Sequence, residues 1–126
     1  MDARSALTSL HVLVVEDNVD ARAIITAVLE YCGALVTQAA TATDALRVLR
    51  QTTPDAVVSD MHLPDHDASW LVREARLVRS HAPFVAVSAE DFDQGDLEQR
   101  GFTAFLVKPL DLPRLVDAVL AAVRRR

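Results

Sequence analysis

The sequence predicts an α/β domain in which a parallel sheet is wound on both faces by helices, and three observations carry that prediction. Short Val-rich apolar runs occupy positions 10–15, 56–59, 84–87 and 105–107, as strands buried on both faces do. Stretches with apolar residues at helical spacing separate them. Each run stops on a polar group: Glu16 and Asp17, then Asp60, then Ser88, then Lys108 followed by Pro109. Strands joined by crossover helices all point one way, so the four ends share one sheet edge. Open α/β sheets bind ligands at that edge.

After the first run, Asn18 or Asp17 is a helix cap, and Asp20 in the first turn suits the positive end of the helix dipole. Ile24, Ile25, Val28, Leu29 and Cys32 then recur at helical spacing, and Gly33 supplies the stop. A second strand is predicted over 34–39. Thr43 is the expected cap of a second helix that carries Ala45, Leu46 and Leu49 inward and ends before Pro54. The third strand leads to Asp60, and a loop over 61–67 containing Pro64 leads to a helix with Leu71, Ala75 and Val78 inward. Pro83 opens the fourth strand.

Residues 90–100 make the weakest helix, with Gly95 inside it and only Phe92 and Leu97 as apolar anchors. Gly101 ends that segment, and 103–107 is the fifth strand. Asp111 caps the last helix, where Pro113 is tolerated in the first turn. Leu112, Leu115, Val116, Val119, Leu120 and Val123 form its apolar stripe, and the arginines at 124–126 suit its negative end.

Length and composition set outer bounds. At 126 residues, 51% hydrophobic and 25% charged, the chain fits one soluble domain with a core that needs no disulfide or structural metal. Residues 1–9 read as a ragged leader, 10–124 as the domain and 125–126 as a tail. A net charge of −5 argues against non-specific attraction to nucleic acid or anionic lipid. The lone Cys32 excludes an intrachain disulfide, makes a reducing cytoplasm the default and reads as a small packing residue. No apolar stretch has the length of a membrane span, and the first nine residues lack a signal-peptide pattern.

The polar groups at the strand ends define a chemistry. Three carboxylates gathered at one edge repel one another unless something offsets their charge. A divalent cation is the simplest offset, and a donor set of oxygens alone favours a hard ion such as Mg2+, which keeps several waters and takes one or two carboxylates. Taken singly, each residue has a plainer role as a cap, a turn acid, a strand-end hydroxyl or a surface charge. It is their joint placement that points to one site.

Together these residues resemble the receiver domain of two-component response regulators, over nearly the whole chain. The resemblance implies a flavodoxin-like (βα)5 fold with strand order 2-1-3-4-5. It implies Asp60 as phosphoacceptor and nucleophile, with Asp17 and Asp60 as direct Mg2+ ligands, Glu16 as a ligand directly or through water, and the His62 carbonyl completing the protein's share. Lys108 and Ser88 would contact phosphoryl oxygens, with Lys108 aimed by a cis bond to Pro109. Ser88 and Phe105 would be the switch pair, although Phe105 also fits an ordinary buried strand aromatic. His62 and Glu90 stand where the family tunes access of water to the phosphoryl group.

The implied partners are a sensor histidine kinase or a histidine phosphotransfer protein. A downstream protein would read the face made by the fourth helix, fifth strand and fifth helix, and a second copy of the chain is a further candidate. Neither nucleic acid nor membrane is an expected partner. Such a module is a phosphoacceptor more than an enzyme, with self-catalysed phosphorylation from small donors and slow self-catalysed dephosphorylation. With the chain ending at the fifth helix, it is either a single-domain receiver or a piece of a hybrid kinase or longer regulator.

Two features depart from the family. Where it has Pro-Gly and a later Gly, this chain has Pro64-Asp65 and Asp67-Ala68, so a loop needing positive φ would tolerate Asp65 better than Ala68. The segment between Ser88 and Gly101 is also short. His62 and His66 are four apart, but Pro64 between them argues against a helical His pair for metal. Trp70 reads as a partly buried aromatic or a partner anchor. Two rival functions remain: an aspartate-nucleophile phosphatase or phosphotransferase, which an Asp at position 62 would favour, and a degenerate receiver, which loss of an acidic residue would favour.

Overall fold

The computed structural model describes residues 3–126. Five strands alternate with five helices: β1 (His11–Val15), α1 (Val19–Tyr31), β2 (Leu35–Ala39), α2 (Ala42–Gln51), β3 (Ala56–Asp60), α3 (Ala68–Leu77), β4 (Phe84–Ser88), α4 (Gln94–Gln99), β5 (Phe102–Val107) and α5 (Leu112–Arg125). All pairings are parallel, in the order β2-β1-β3-β4-β5. This is the flavodoxin-like order, and it brings the C-terminal ends of β1, β3, β4 and β5 to one edge.

Alternation along each strand divides the core in two. Leu13, Val15, Val57, Phe84 and Ala86 face α2, α3 and α4, where Leu46, Leu49, Leu71, Val72 and Leu97 meet them. Val12, Val14, Val58, Val85 and Val87 face α1 and α5, where Ile25, Leu29, Leu115 and Val119 meet them. A strand with both faces buried has no polar positions to alternate with, which is why these runs are continuous.

Side-chain caps start the helices. Asn18 accepts from the Ala21 amide at 2.8 Å, Asp67 from Trp70 at 2.8 Å, Asp93 from Asp96 at 2.8 Å and Asp111 from Arg114 at 3.2 Å. Thr41, not Thr43, caps α2, accepting from the Asp44 amide at 3.0 Å. Thr43 is the second helical residue, and its hydroxyl donates to Asp65 at 2.6 Å. Gly33 and Gly101 sit at φ of 101° and 98°, the left-handed backbone that favours glycine at helix ends. A Cβ at Gly101 would also stand 2.8 Å from the Val72 side chain.

Three sequence expectations need correction or refinement. Residues 3–9 are not a ragged leader: Leu7 is fully buried in the α1/α5 core and its amide donates to the Cys32 carbonyl at 2.8 Å. Leu7, with only small Ala3 and Ala6 as apolar neighbours in the segment, sets up no periodicity that would reveal it. Residues 1–2 lie outside the described residues. At the loop after β3, neither Asp65 nor Ala68 has positive φ; among the described non-glycine residues only Ser9 and Arg79 do. Ala68 is simply the fully buried first residue of α3. The α4 helix does form, but with six residues, anchored by buried Leu97 and by Arg100, which reaches Ser69 at 3.3 Å and Asp96 at 2.8 Å. No helix among the described residues is long and apolar enough to cross a membrane.

Packing of Leu7 gives a direct test of the N-terminal segment. Leu7→Ala is expected to cost about 2–4 kcal/mol in urea unfolding, the range for a buried leucine. A cost below about 0.5 kcal/mol, usual for surface positions, would show that the segment is detached in solution.

Candidate functional site

Strand register builds the site. Val15 pairs with Ser59, so Glu16 and Asp60 leave the sheet side by side. Asp60 pairs with Val87, Ser88 pairs with Val107, and the Lys108 amide donates to the Ser88 carbonyl at 2.7 Å. Glu16 is buried at 1% exposure, whereas Asp17 is exposed. One carboxylate oxygen from each of Glu16, Asp17 and Asp60 lies within 4.8 Å of the other two. The Lys108 Nζ reaches into this group, 3.2 Å from Glu16 Oε1 and 3.0 Å from Asp60 Oδ2. The Lys108–Pro109 peptide is cis.

One ammonium does not neutralise three carboxylates, and burial adds to the cost of charging the innermost one. Burial pushes the Glu16 carboxyl up to about 7, helped by its hydrogen bond to Asp60 and by that residue's charge. For Asp60, burial acts upward but is outweighed. Hydrogen bonds from Glu16, Lys108 and the His62 amide, the last at 3.1 Å, hold the carboxyl below its ordinary value. Lys108 resists the downward push of burial because Asp60 and Glu16 hold its proton in place. The two carboxyls therefore titrate as a coupled pair, with Glu16 shifted up and Asp60 shifted down.

Fit to a cation follows from the donor set. The buried Glu16 Oε2 has no hydrogen-bond partner, and the cluster contains only carboxylates. An orphaned carboxylate oxygen among oxygen donors suits a hard divalent ion such as Mg2+.

The remaining residues of interest form a second tier. Ser88 is fully buried, and its hydroxyl accepts from the Glu90 amide at 3.1 Å; no hydrogen bond among the described residues joins it to the carboxylates. His62 and Glu90, both exposed, approach to 3.5 Å above the site. Phe105 is half-buried and meets Phe92 edge-on at 5.8 Å between ring centroids, and Phe92 stands 6.2 Å from His62. His66 is stacked on half-buried Trp70 at 3.7 Å. Sequence reasoning missed Arg22, whose guanidinium donates to the Glu16 carbonyl at 2.8 Å and braces the first acidic loop. It treated Asp65 only as a departure. No periodic or motif signal marks either one.

Burial of Glu16 carries a stability signature. Its folded pKa of about 7 lies above the unfolded value of about 4.5, so the folded state binds the extra proton between these values. With EDTA present, this group's contribution is lost as pH rises through that window, by an amount on the order of 1–3 kcal/mol. Glu16→Gln cannot ionise. It is expected to raise the urea midpoint at pH 8 relative to wild type and to change it little at pH 5. A variant destabilised equally at both pH values would contradict the assignment.

Comparison with known proteins agrees with this geometry. Residues 12–120 match the family described as the response regulator receiver domain. The chain is 32% identical over 117 residues to an uncharacterized 14.6 kDa protein of Leptolyngbya boryana, covering 90% of this chain and 89% of that one. It is 34% identical over 124 residues to the transcriptional regulatory protein PrrA of Mycobacterium tuberculosis, covering 97% of this chain but only 53% of the regulator. Among solved structures, it superposes with a TM-score of 0.81 and 30% identity on the receiver domain of a sensor histidine kinase from Pseudomonas aeruginosa PAO1. That match covers 91% of this chain and 98% of the other, and the other structure has a magnesium ion coordinated in its active-site cleft. With the family match spanning most of the chain and the strand order and acidic edge in place, this chain belongs to the response regulator receiver family of two-component systems.

Proposed function

We propose that the chain is a phosphoacceptor module that takes a phosphoryl group onto Asp60 from a phosphohistidine and thereby switches a protein-binding face. The observation that carries this reading is the Lys108 ammonium placed between Glu16 and Asp60 beside Asp17. A carboxylate is a weak nucleophile, but phosphoryl transfer asks mainly for in-line placement and charge stabilisation. An Asp60 oxygen attacks phosphorus, the P–N bond to the donor imidazole breaks, and the imidazole leaves to give an aspartyl phosphate. The donor is a sensor histidine kinase or a histidine phosphotransfer protein.

The residues gathered at this edge divide the tasks of that step. Lys108, on a mobile stem, follows charge from the carboxylates to a phosphoryl oxygen. Ser88 already accepts from the Glu90 amide, so its own proton is available to donate to a second oxygen. Asp17, Asp60, Glu16 and the His62 carbonyl would hold Mg2+. The chemistry the bound ion supplies is neutralisation of the carboxylates and of the incoming phosphoryl oxygens. His62 and Glu90, facing each other above Asp60, restrict the water that later hydrolyses the acyl phosphate.

Signalling follows from the second tier. When Ser88 turns toward the phosphoryl group, space opens beside β5 that Phe105 enters, and Phe92 in contact with it moves the short α4. The α4-β5-α5 face then presents a different surface to a downstream protein. Shifting such an equilibrium from 1:99 to 99:1 takes about 5.5 kcal/mol of differential stabilisation, within reach of a few charge-assisted hydrogen bonds.

Acetyl phosphate with Mg2+ is expected to add the mass of one phosphoryl group, and Asp60→Asn or EDTA to abolish the addition. Asp17→Asn should retain it at a higher Mg2+ requirement. Hydrogen exchange with beryllofluoride bound should change most at α4 and around Phe105. Labelling of Asp60→Asn at the wild-type rate, or labelling unaffected by EDTA, would overturn the acceptor assignment, and unchanged exchange with the mimic bound would remove the switch.

A further inference from the structure

We propose that Asp65 is a positioning residue for the acceptor site, tying the loop after Asp60 to the start of α2 and so holding the His62 backbone in place. The proposal rests on the phosphoacceptor reading and names a determinant that lies outside the acidic cluster. Its basis is a set of bonds across 22–23 residues of sequence. Asp65 Oδ1 accepts from the Ala42 amide at 3.0 Å, and Oδ2 accepts from the Thr43 amide at 2.9 Å and the Thr43 hydroxyl at 2.6 Å.

The loop is held firmly at its base and by Asp65 at its tip. At the base, the Met61 amide donates to the Val87 carbonyl at 2.9 Å, the Ala68 amide donates to Met61 at 3.0 Å, and His62 and Asp67 form an antiparallel bridge. Met61 is buried. Beyond that bridge, among the described residues, the hydrogen bonds joining 63–66 to another element are the three that Asp65 accepts from α2. His62 is itself the last member of the base anchor on the tip side, and its amide donates to Asp60 Oδ1 at 3.1 Å. A loop pinned at both ends holds that amide, and the adjoining carbonyl, in one orientation relative to Asp60.

Chemistry makes the tie strong. The amides at a helix start have no partners within the helix, and a carboxylate there is favoured by the dipole. Thr41, the cap residue just before the helix, satisfies the Asp44 amide, leaving the Ala42 and Thr43 amides to Asp65. Burial acts upward on the Asp65 carboxyl, but the bonds from Thr43 and Ala42 outweigh it and hold it well below the usual carboxylate range. Asp65 therefore remains an anion, and the tie remains intact, through the pH range in which Glu16 titrates. Side-chain bonding from Asp65 orders a loop that has no glycine between Asp60 and α3.

Capping α2 and positioning the loop are separable. Thr41→Ala removes a cap bond of the same helix without touching the loop, and Asp65→Ala removes the tie. In the 15N-labelled full chain, Asp65→Ala is expected to shift the His62 amide resonance and to raise the Mg2+ dissociation constant by roughly 10-fold, the low end for lost outer-shell partners of a metal site. Thr41→Ala should leave both near wild type. Should Asp65→Ala fail to fold, Thr43→Val, which removes the hydroxyl bond and keeps both amides, should move the same readouts in the same direction. Perturbation confined to Ala42, Thr43 and their helix, with His62 and Mg2+ binding unchanged, would overturn the positioning role. Wild type labelled by acetyl phosphate alongside an unperturbed Asp65→Ala refutes this proposal alone. Unlabelled wild type refutes the phosphoacceptor reading, while the His62 resonance still tests the tie.

Discussion

The Lys108 ammonium held between Glu16 and Asp60 is the interaction on which the rest of the site depends. At contact distances of about 3 Å, charge–charge energies are several kcal/mol even at an effective dielectric of 20, so the edge could not gather three carboxylates without a cation among them. One lysine is enough to assemble the cluster and too little to neutralise it. Burial, with the neighbouring Asp60, raises the pKa of Glu16, and its Oε2 is left without a hydrogen-bond partner. The site therefore has an unmet demand for positive charge, which is the property a Mg2+-dependent phosphoacceptor needs.

The fold supplies that geometry through strand register. Because β1, β3, β4 and β5 run parallel, a one-residue slip in any of them would retract its terminal polar group into the sheet or turn it to the wrong face. The two-sided apolar core opposes such slips, and so structural residues such as Val12 and Leu13 act on function by placing Glu16. Beside this edge stand the His62–Glu90 pair, the Phe92–Phe105 contact and the six-residue α4. They connect to one another through Phe92, which contacts both His62 and Phe105.

Much of this was legible in the sequence because it depends on periodicity and strand ends. The continuous apolar runs located β1, β3, β4 and β5, and the polar residues that stop them located Glu16, Asp17, Asp60, Ser88 and Lys108. Strand order came from resemblance, since hydrophobic pattern carries no information on neighbours. What stayed hidden depends on contacts between distant residues. Thr43 looked like a cap because both it and Thr41 are suitable hydroxyls, and the choice was made by Asp65, more than twenty residues away. Leu7 looked like part of a loose leader because its burial is decided by α1, α5 and the Cys32 carbonyl. Arg22 and Asp65 brace the acidic loops through side chains with no recurring spacing.

The central claim, that this edge is short of positive charge which a proton on Glu16 meets in part and a divalent ion would meet better, can be tested most directly by counting protons. Calorimetric titration of the chain with Mg2+ in buffers of different ionisation enthalpy gives the number released on binding. A Glu16 carboxyl raised to about 7 predicts proton release on Mg2+ binding under mildly acidic conditions that fades as pH rises past neutrality, with Mg2+ affinity rising as it fades. Binding of Mg2+ with no proton release and constant affinity across that range would contradict the account.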